Sequence, residues 1–341
     1  MDGPHPITVE WCDPRRPPIE PVQIVRSGRQ RQEQVAAAAA RRPTTAGVAV
    51  VTDSAADLPS QMAASARIRV VPLTVRFGAE ELRDGVDLST EQFWNRLQAP
   101  GAPYPTTASP PPGLFRQAFE SCFADGAGAI VCPTIGSRLS ATFQSATLAA
   151  AVLPDQEIYV IDTRSTSMAT GYLALLAAEM ADAAIPAAQI ASRLRDRLAD
   201  LDLFVALDTL GYLRKGGRLS TPQAALGTIL SIKPIITVRD GLVVVAERPR
   251  TRSKARERVI ELATARPLER LAIMHTPSSS NAEVAEFRDR LVARVPGGID
   301  PGHVIVGVIG ATTGPHLGPG MIGAVLLARP GTRGADAEDG R

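Results

Sequence analysis

Val48-Ala49-Val50-Val51-Thr52-Asp53-Ser54 is a β-branched run that ends on a hydroxyl, a carboxylate and a second hydroxyl. A run this short and apolar reads as a buried strand. Outward from it, similar runs at 70–77, 129–132 and 157–161 alternate with amphipathic stretches of helical length. That alternation implies a mostly parallel sheet covered by helices. After Asp162 a long Ala- and Leu-rich helix is expected to stop before Pro186, with another following over 187–201. Beyond it, 234–238 and 242–247 alternate on either side of Arg239-Asp240-Gly241, a hairpin signal. Strands at 271–275 and 304–309 flank a helix around 282–295. The expected fold class is α/β with two domains: a mostly parallel, helix-covered sheet over 47–165 and a second α/β unit with an antiparallel hairpin over 166–330. Residues 1–46, rich in Pro, Arg and Gln, are expected to form a disordered extension, and 331–341 a frayed polar tail.

The composition excludes several function classes. A chain of 341 residues with 45% hydrophobic residues can bury a sizeable core. A formal net charge of +2 supplies no field that would select nucleic acid or an acidic membrane. Cys12, Cys122 and Cys132 are odd in number and lack CxxC spacing, so neither a disulfide framework nor a zinc site is expected, and a reducing, cytoplasmic setting fits. The most apolar stretch, 172–185, is broken by Glu179 and Asp182, and no integral membrane segment is expected. HExxH, GxSxG and GxxxxGK[ST] are all missing, and Gly318, Gly320 and Gly323 match GxGxxG without room for the βαβ unit that motif needs. No catalytic residue, metal or cofactor is therefore assigned.

Five constellations remain, each with a plain structural reading beside a functional one. Asp53 and Ser54 sit where open α/β sheets bind ligands, and both also suit a helix cap. Thr106-Thr107-Ala108-Ser109, stiffened by Pro110-Pro111-Pro112, offers uncharged donors to an anion, or is a capped loop. In Gly136-Ser137-Arg138-Leu139-Ser140-Ala141-Thr142-Phe143 a helix start is expected, with Ser140 in its first turn beside free amides. Leu213-Arg214-Lys215-Gly216-Gly217-Arg218-Leu219-Ser220 gives Arg218 a planar fork for an oxyanion, or is a glycine helix stop. His316-Leu317-Gly318-Pro319-Gly320 places an imidazole on a stiff turn, able to donate to an anion.

The order of these pieces, an Asp-Ser after the first strand, the Thr/Ser turn, LSATFQSA, GGR followed by Ile232-Lys233-Pro234, and HLGPG, resembles the DegV family over roughly 47–330. The resemblance implies a non-enzymatic bacterial carrier that encloses one long-chain fatty acid between its domains and presents the carboxylate to a fatty acid kinase subunit, in phospholipid metabolism. It implies Thr107 and Ser140, with Thr106 as the neighbouring alternative, as carboxylate ligands. Arg218 and His316 would face the phosphoryl group, with Asp53 and Ser54 beside the pocket. Transient membrane contact is compatible with such a role. Ala108 and Ala141 depart from the family's usual Ser and Gly. Two competing readings are a lipid-dependent regulatory protein without a kinase partner and a small-molecule kinase or transferase; the missing nucleotide loop weighs against the latter.

Overall fold

The quoted run forms strand β1 (Val48–Asp53) in the computed structural model, which describes residues 47–219 and 232–332. The expected extension 1–46, with Cys12, lies outside the described residues, as do Ser220 and all but the first two residues of the expected tail. β1 pairs in parallel with β2 (Ile68–Val71) and β6 (Ala129–Thr134), and β6 with β7 (Glu157–Asp162), giving four parallel strands in the order β2-β1-β6-β7. The single strand expected over 70–77 is divided instead. Pro72 has no N–H to give a ladder. After it, β3 (Thr74–Phe77) joins a separate antiparallel sheet between β4 (Glu80–Arg83) and β5 (Thr106–Ala108).

Helices α1 (Ser60–Ser65), α2 (Thr90–Gln98), α3 (Pro112–Ala124), α4 (Thr142–Ala151), α5 (Met168–Asp182) and α6 (Ala187–Arg197) accompany these strands. Alternate side chains on β1 and β6 serve opposite faces, as the period of two requires. Val51, Ile130 and Cys132 pack with Phe115 and Phe119 of α3 and Ala146 of α4. Val50 and Val131 pack in the other direction, in the cluster that holds Leu173 and Ala177 of α5. With both faces covered, the parallel strands can be apolar almost throughout.

The second large sheet has the order β10-β9-β8-β13-β11-β12 and consists of β8 (Leu201–Ala206), β9 (Ile235–Arg239), β10 (Leu242–Glu247), β11 (Leu268–His275), β12 (Val304–Val308) and β13 (Ile322–Ala328). Only β11 and β12 run parallel. The hairpin forms as read: Asp240 and Gly241 take φ of 50° and 77°, the pair of left-handed residues that a tight two-residue turn needs. The helix expected over 187–201 ends at Arg197. A 3-10 turn (Leu198–Asp200) follows, and Leu201 already belongs to β8. Further helices are α7 (Gly211–Lys215), α8 (Arg252–Ala263), α9 (Asn281–Arg294) and α10 (Gly314–Leu317). α8 and α9 cover one face through Val259, Ile260, Val284, Phe287 and Leu291. The opposite face, with Leu203, Val205, Ile236 and Val325, shares a cluster with α5 and β1.

Polar contacts from the first half fix the loop after β12. Asp57 accepts the Gly310 amide at 2.9 Å, Asp84 accepts the Thr312 amide at 3.1 Å and its hydroxyl at 2.5 Å, and Trp94 donates to the Ile309 carbonyl at 2.8 Å. Burial raises the Asp57 carboxyl to about 7, against the nearby Ser167 hydroxyl and the Gly310 amide, which favour the charged form. A carboxyl raised above its unfolded value of 3.8 stabilises the fold fully below that value and loses the contribution as pH rises through about 7. Asp57→Asn retains an acceptor for Gly310 and is expected to remove this loss, on the order of 4 kcal/mol between about pH 4 and about pH 8. Urea unfolding of both proteins across that range checks it; equal pH slopes would assign the titration to another group.

Candidate functional site

Between the uncovered face of the six-stranded sheet and the ends of the parallel strands lies a cavity of about 830 Å³, counting its opening to solvent. Ligand pockets span about 300–1,000 Å³. Its apolar wall comes from Leu203, Val205, Ile236, Val243, Met274 and Val325. Thr107, Ser140, Ser167, Arg218, Thr313 and His316 supply polar groups.

Thr107 lies on β5 opposite buried Val75 of β3, and its Oγ1 is 3.2 Å from Nε2 of His316 on α10. Residues 209 positions apart in sequence thus meet at the cavity. The His316 Nδ1 atom is buried without a hydrogen-bond partner. It faces Gly216, where an added Cβ would stand 2.1 Å away, so the glycine is required by close approach. Burial, then the positive charge of Arg218, lowers the His316 pKa to about 4. The imidazole is therefore neutral at pH 7 and carries one proton. Arg218 donates from Nε to the Leu139 carbonyl at 3.2 Å and from one terminal nitrogen to the Gly216 carbonyl at 2.8 Å. Its guanidinium is anchored at the rim with donors to spare.

Ser140 lines the same cavity but precedes its helix. α4 begins at Thr142 with Ala141 as N-cap, so the expectation of Ser140 in the first helical turn is corrected. Its Oγ lies 2.8 Å from the Thr142 hydroxyl and accepts the Thr142 amide at 3.4 Å. Ala141 has φ −72° and ψ 4°, a conformation open to any residue, so the helix start forms without glycine. Thr106 is exposed, pairs with Arg76, and does not line the cavity. Asp53 is fully buried and accepts amides of Ala55 at 2.9 Å and Ile135 at 2.8 Å, tying the end of β1 to the loop after β6. Ser54 accepts the Leu73 amide at 3.0 Å and lies 3.1 Å from the Thr312 hydroxyl on the cavity wall.

Four groups important to this geometry were not singled out in the sequence: Asp84, Ser167, Thr312 and Thr313. Thr312-Thr313 stands just before the His316 turn, and that adjacency was the available signal. Asp84 and Ser167 have no local signature, since their partners lie in distant segments. Among the described residues no cluster of three or more His, Cys, Asp or Glu could hold a metal ion, and no helix is long and apolar enough to cross a membrane.

Fold and site together define a three-sheet α/β protein built round a largely apolar cavity with a polar rim. Residues 47–329 match the family of uncharacterised proteins described as DegV, and the chain belongs to the DegV family. A DegV domain-containing protein of Streptomyces coelicolor is 36% identical over 286 residues, covering 83% of this chain and 99% of the relative. A DegV family protein of Thermus thermophilus, described as binding fatty acid, superposes with a TM-score of 0.75 at 30% identity, over 83% of this chain and 100% of the other. DegV of Bacillus subtilis, described as a fatty acid binding protein, gives 0.73 at 30% identity over 84% and 100%.

Gly216→Ala is expected to push the imidazole off Thr107 toward solvent. Proton NMR titration should then find the His316 pKa moved up from about 4 toward its ordinary 6.5. An unmoved titration would mean that Gly216 does not hold the ring in place.

Proposed function

We propose that this chain binds one long-chain fatty acid in the cavity, between an N-terminal domain of residues 47–165 and a C-terminal domain of 166–330, and performs no chemistry on it alone. The observation that carries the reading is the Thr107–His316 contact, 3.2 Å long, at the polar rim of an otherwise apolar chamber. A neutral His316 that donates from Nε2 to Thr107 leaves the Thr107 hydroxyl proton free for a carboxylate oxygen. The Thr142 amide donates to Ser140, and the Thr142 hydroxyl beside it can donate as well, an arrangement that leaves the Ser140 proton for the ligand. Arg218 adds the positive charge at the rim. The fatty-acid-binding descriptions of the Thermus and Bacillus proteins support the ligand class.

Affinity then comes from the tail. Each buried methylene contributes about 0.8 kcal/mol, so ten supply about 8 kcal/mol before the entropic cost of association. The rim fixes which end faces out. A carboxylate held there by two hydroxyls is accessible to a second protein, and the reading extends to a partner acyl kinase that phosphorylates it. Arg218 and His316 would then meet the transferred phosphoryl group.

Native mass spectrometry of freshly purified protein, followed by lipid extraction, is expected to find one fatty acid per chain. A ligand-free protein that also rejects added fatty acids would sink the carrier reading. Given a partner kinase, Arg218→Ala and His316→Ala are each expected to retain lipid and to slow phosphorylation on the order of a hundredfold, the scale of one lost electrostatic donor. Lipid loss with normal phosphoryl transfer would reverse their assignment.

A further inference from the structure

On the cavity wall, and directly behind it at Asp57, stand polar groups that the rim does not use. Asp57 Oδ2, Ser167 Oγ and Thr313 Oγ1 are each buried, and none has a hydrogen-bond partner. Ser167 and Thr313 line the cavity and are 4% and 8% exposed. Both lie near enough to Asp57 for their hydroxyls to favour its charged form, yet neither makes a hydrogen bond of normal geometry to it. The Ser167 and Thr313 hydroxyls therefore both lie close to Asp57, and none of the three oxygens is paired within normal hydrogen-bond geometry. Buried polar groups in folded proteins almost always find a partner.

The local backbone turns these groups away from ordinary duties. Ser167 is the N-cap of α5, a position where serine normally accepts a first-turn amide. It makes no such bond; its backbone sits at φ 55° and ψ −149°, while its amide donates to the Ala55 carbonyl at 2.8 Å. Asp57 is also left-handed, at φ 48°, and its other oxygen is committed to Gly310. The neighbouring Thr312 hydroxyl is already bound to Asp84, so Thr313 is the free one of that pair.

We infer that Asp57, Ser167 and Thr313 form a second polar subsite in the chamber, one that takes a single hydroxyl oxygen. That oxygen donates its proton to Asp57 and accepts from the Ser167 and Thr313 hydroxyls, which pairs all three groups. A carboxylate would meet the acidic Asp57, and an unbranched methylene would leave the three oxygens bare. The hydroxyl belongs either to a retained water or to a hydroxylated acyl chain, and three polar partners suit both. As an account of ligand choice this rests on the fatty-acid reading; as a statement about the three oxygens it does not.

The test measures binding of stearic acid and of a series of monohydroxystearic acids that differ only in the carbon bearing the hydroxyl. One isomer is expected to bind more tightly than its neighbours by on the order of tenfold, the factor one buried hydrogen bond supplies. Ser167→Ala and Thr313→Val should each abolish that preference, so that all the isomers bind alike. A crystal structure with stearic acid should show an ordered water on the three oxygens, replaced by the ligand hydroxyl in the complex with the preferred isomer. Isomers that bind alike, with no ordered oxygen at that point, would overturn the subsite and leave the carrier standing. Failure of every acid to bind would overturn the carrier, and a water on the three oxygens in the lipid-free crystal would still uphold the subsite.

Discussion

The loop from Ile309 to His316 depends on hydrogen bonds made by groups more than two hundred residues earlier in the chain. Asp57 holds Gly310, Asp84 holds Thr312, Trp94 holds the Ile309 carbonyl, and the Tyr104 hydroxyl donates to the Pro315 carbonyl. Each of these pairings satisfies a backbone or hydroxyl group that would otherwise be unpaired near the core. Their joint effect is positional. They set α10 so that His316 meets Thr107, and they bring the wall bearing Thr312 and Thr313 against the open face of the six-stranded sheet.

The same constraint explains why carboxylates sit in so apolar a place. Asp53, Asp57 and Asp84 are all raised by burial, and each offsets part of that cost by accepting amides or hydroxyls. None has a cationic partner among the contacts that define it. Replacing such a pairing with an apolar contact would keep the packing but lose direction. A hydrogen bond fixes the loop's rotation as well as its distance, and the Thr107–His316 contact needs both.

The parts of the fold that were legible in the sequence are those governed by local rules. Asp240-Gly241 can form a tight hairpin turn whatever surrounds it, and the parallel strands after Val48 declare themselves by being apolar on both faces. Strands β8 and β13, which form the centre of the larger sheet, were not read. Leu201–Ala206 follows directly on a helix and a 3-10 turn, and its alternation merges with the helical pattern before it. Ile322–Ala328 follows the glycine-rich turn and contains Gly323, whose Cβ would stand 2.6 Å from the Phe204 carbonyl of the neighbouring strand. Only the pairing with β8 explains that glycine. Of the site, Thr107, Ser140, Arg218 and His316 stood in recognisable motifs, and all four line one cavity. Asp57 stood beside Asp53 and Ser54 in the sequence, yet its partner Gly310 is 253 residues away, and no local pattern encodes that distance.

The division of the cavity into an apolar sheet face and a polar opposite wall has a physical origin in the two kinds of sheet. Side chains on the six-stranded sheet stand in regular rows, and its uncovered face can be made apolar simply by placing branched residues at every second position. The opposite wall is built from strand ends, helix starts and the loop after β12, where backbone groups are unpaired and hydroxyl residues are needed to satisfy them. A chamber between such walls is directional before any ligand enters. An alkyl chain gains by lying along the sheet, and polar atoms gain by facing the loops. On the proposed reading, binding and orientation both follow from the architecture.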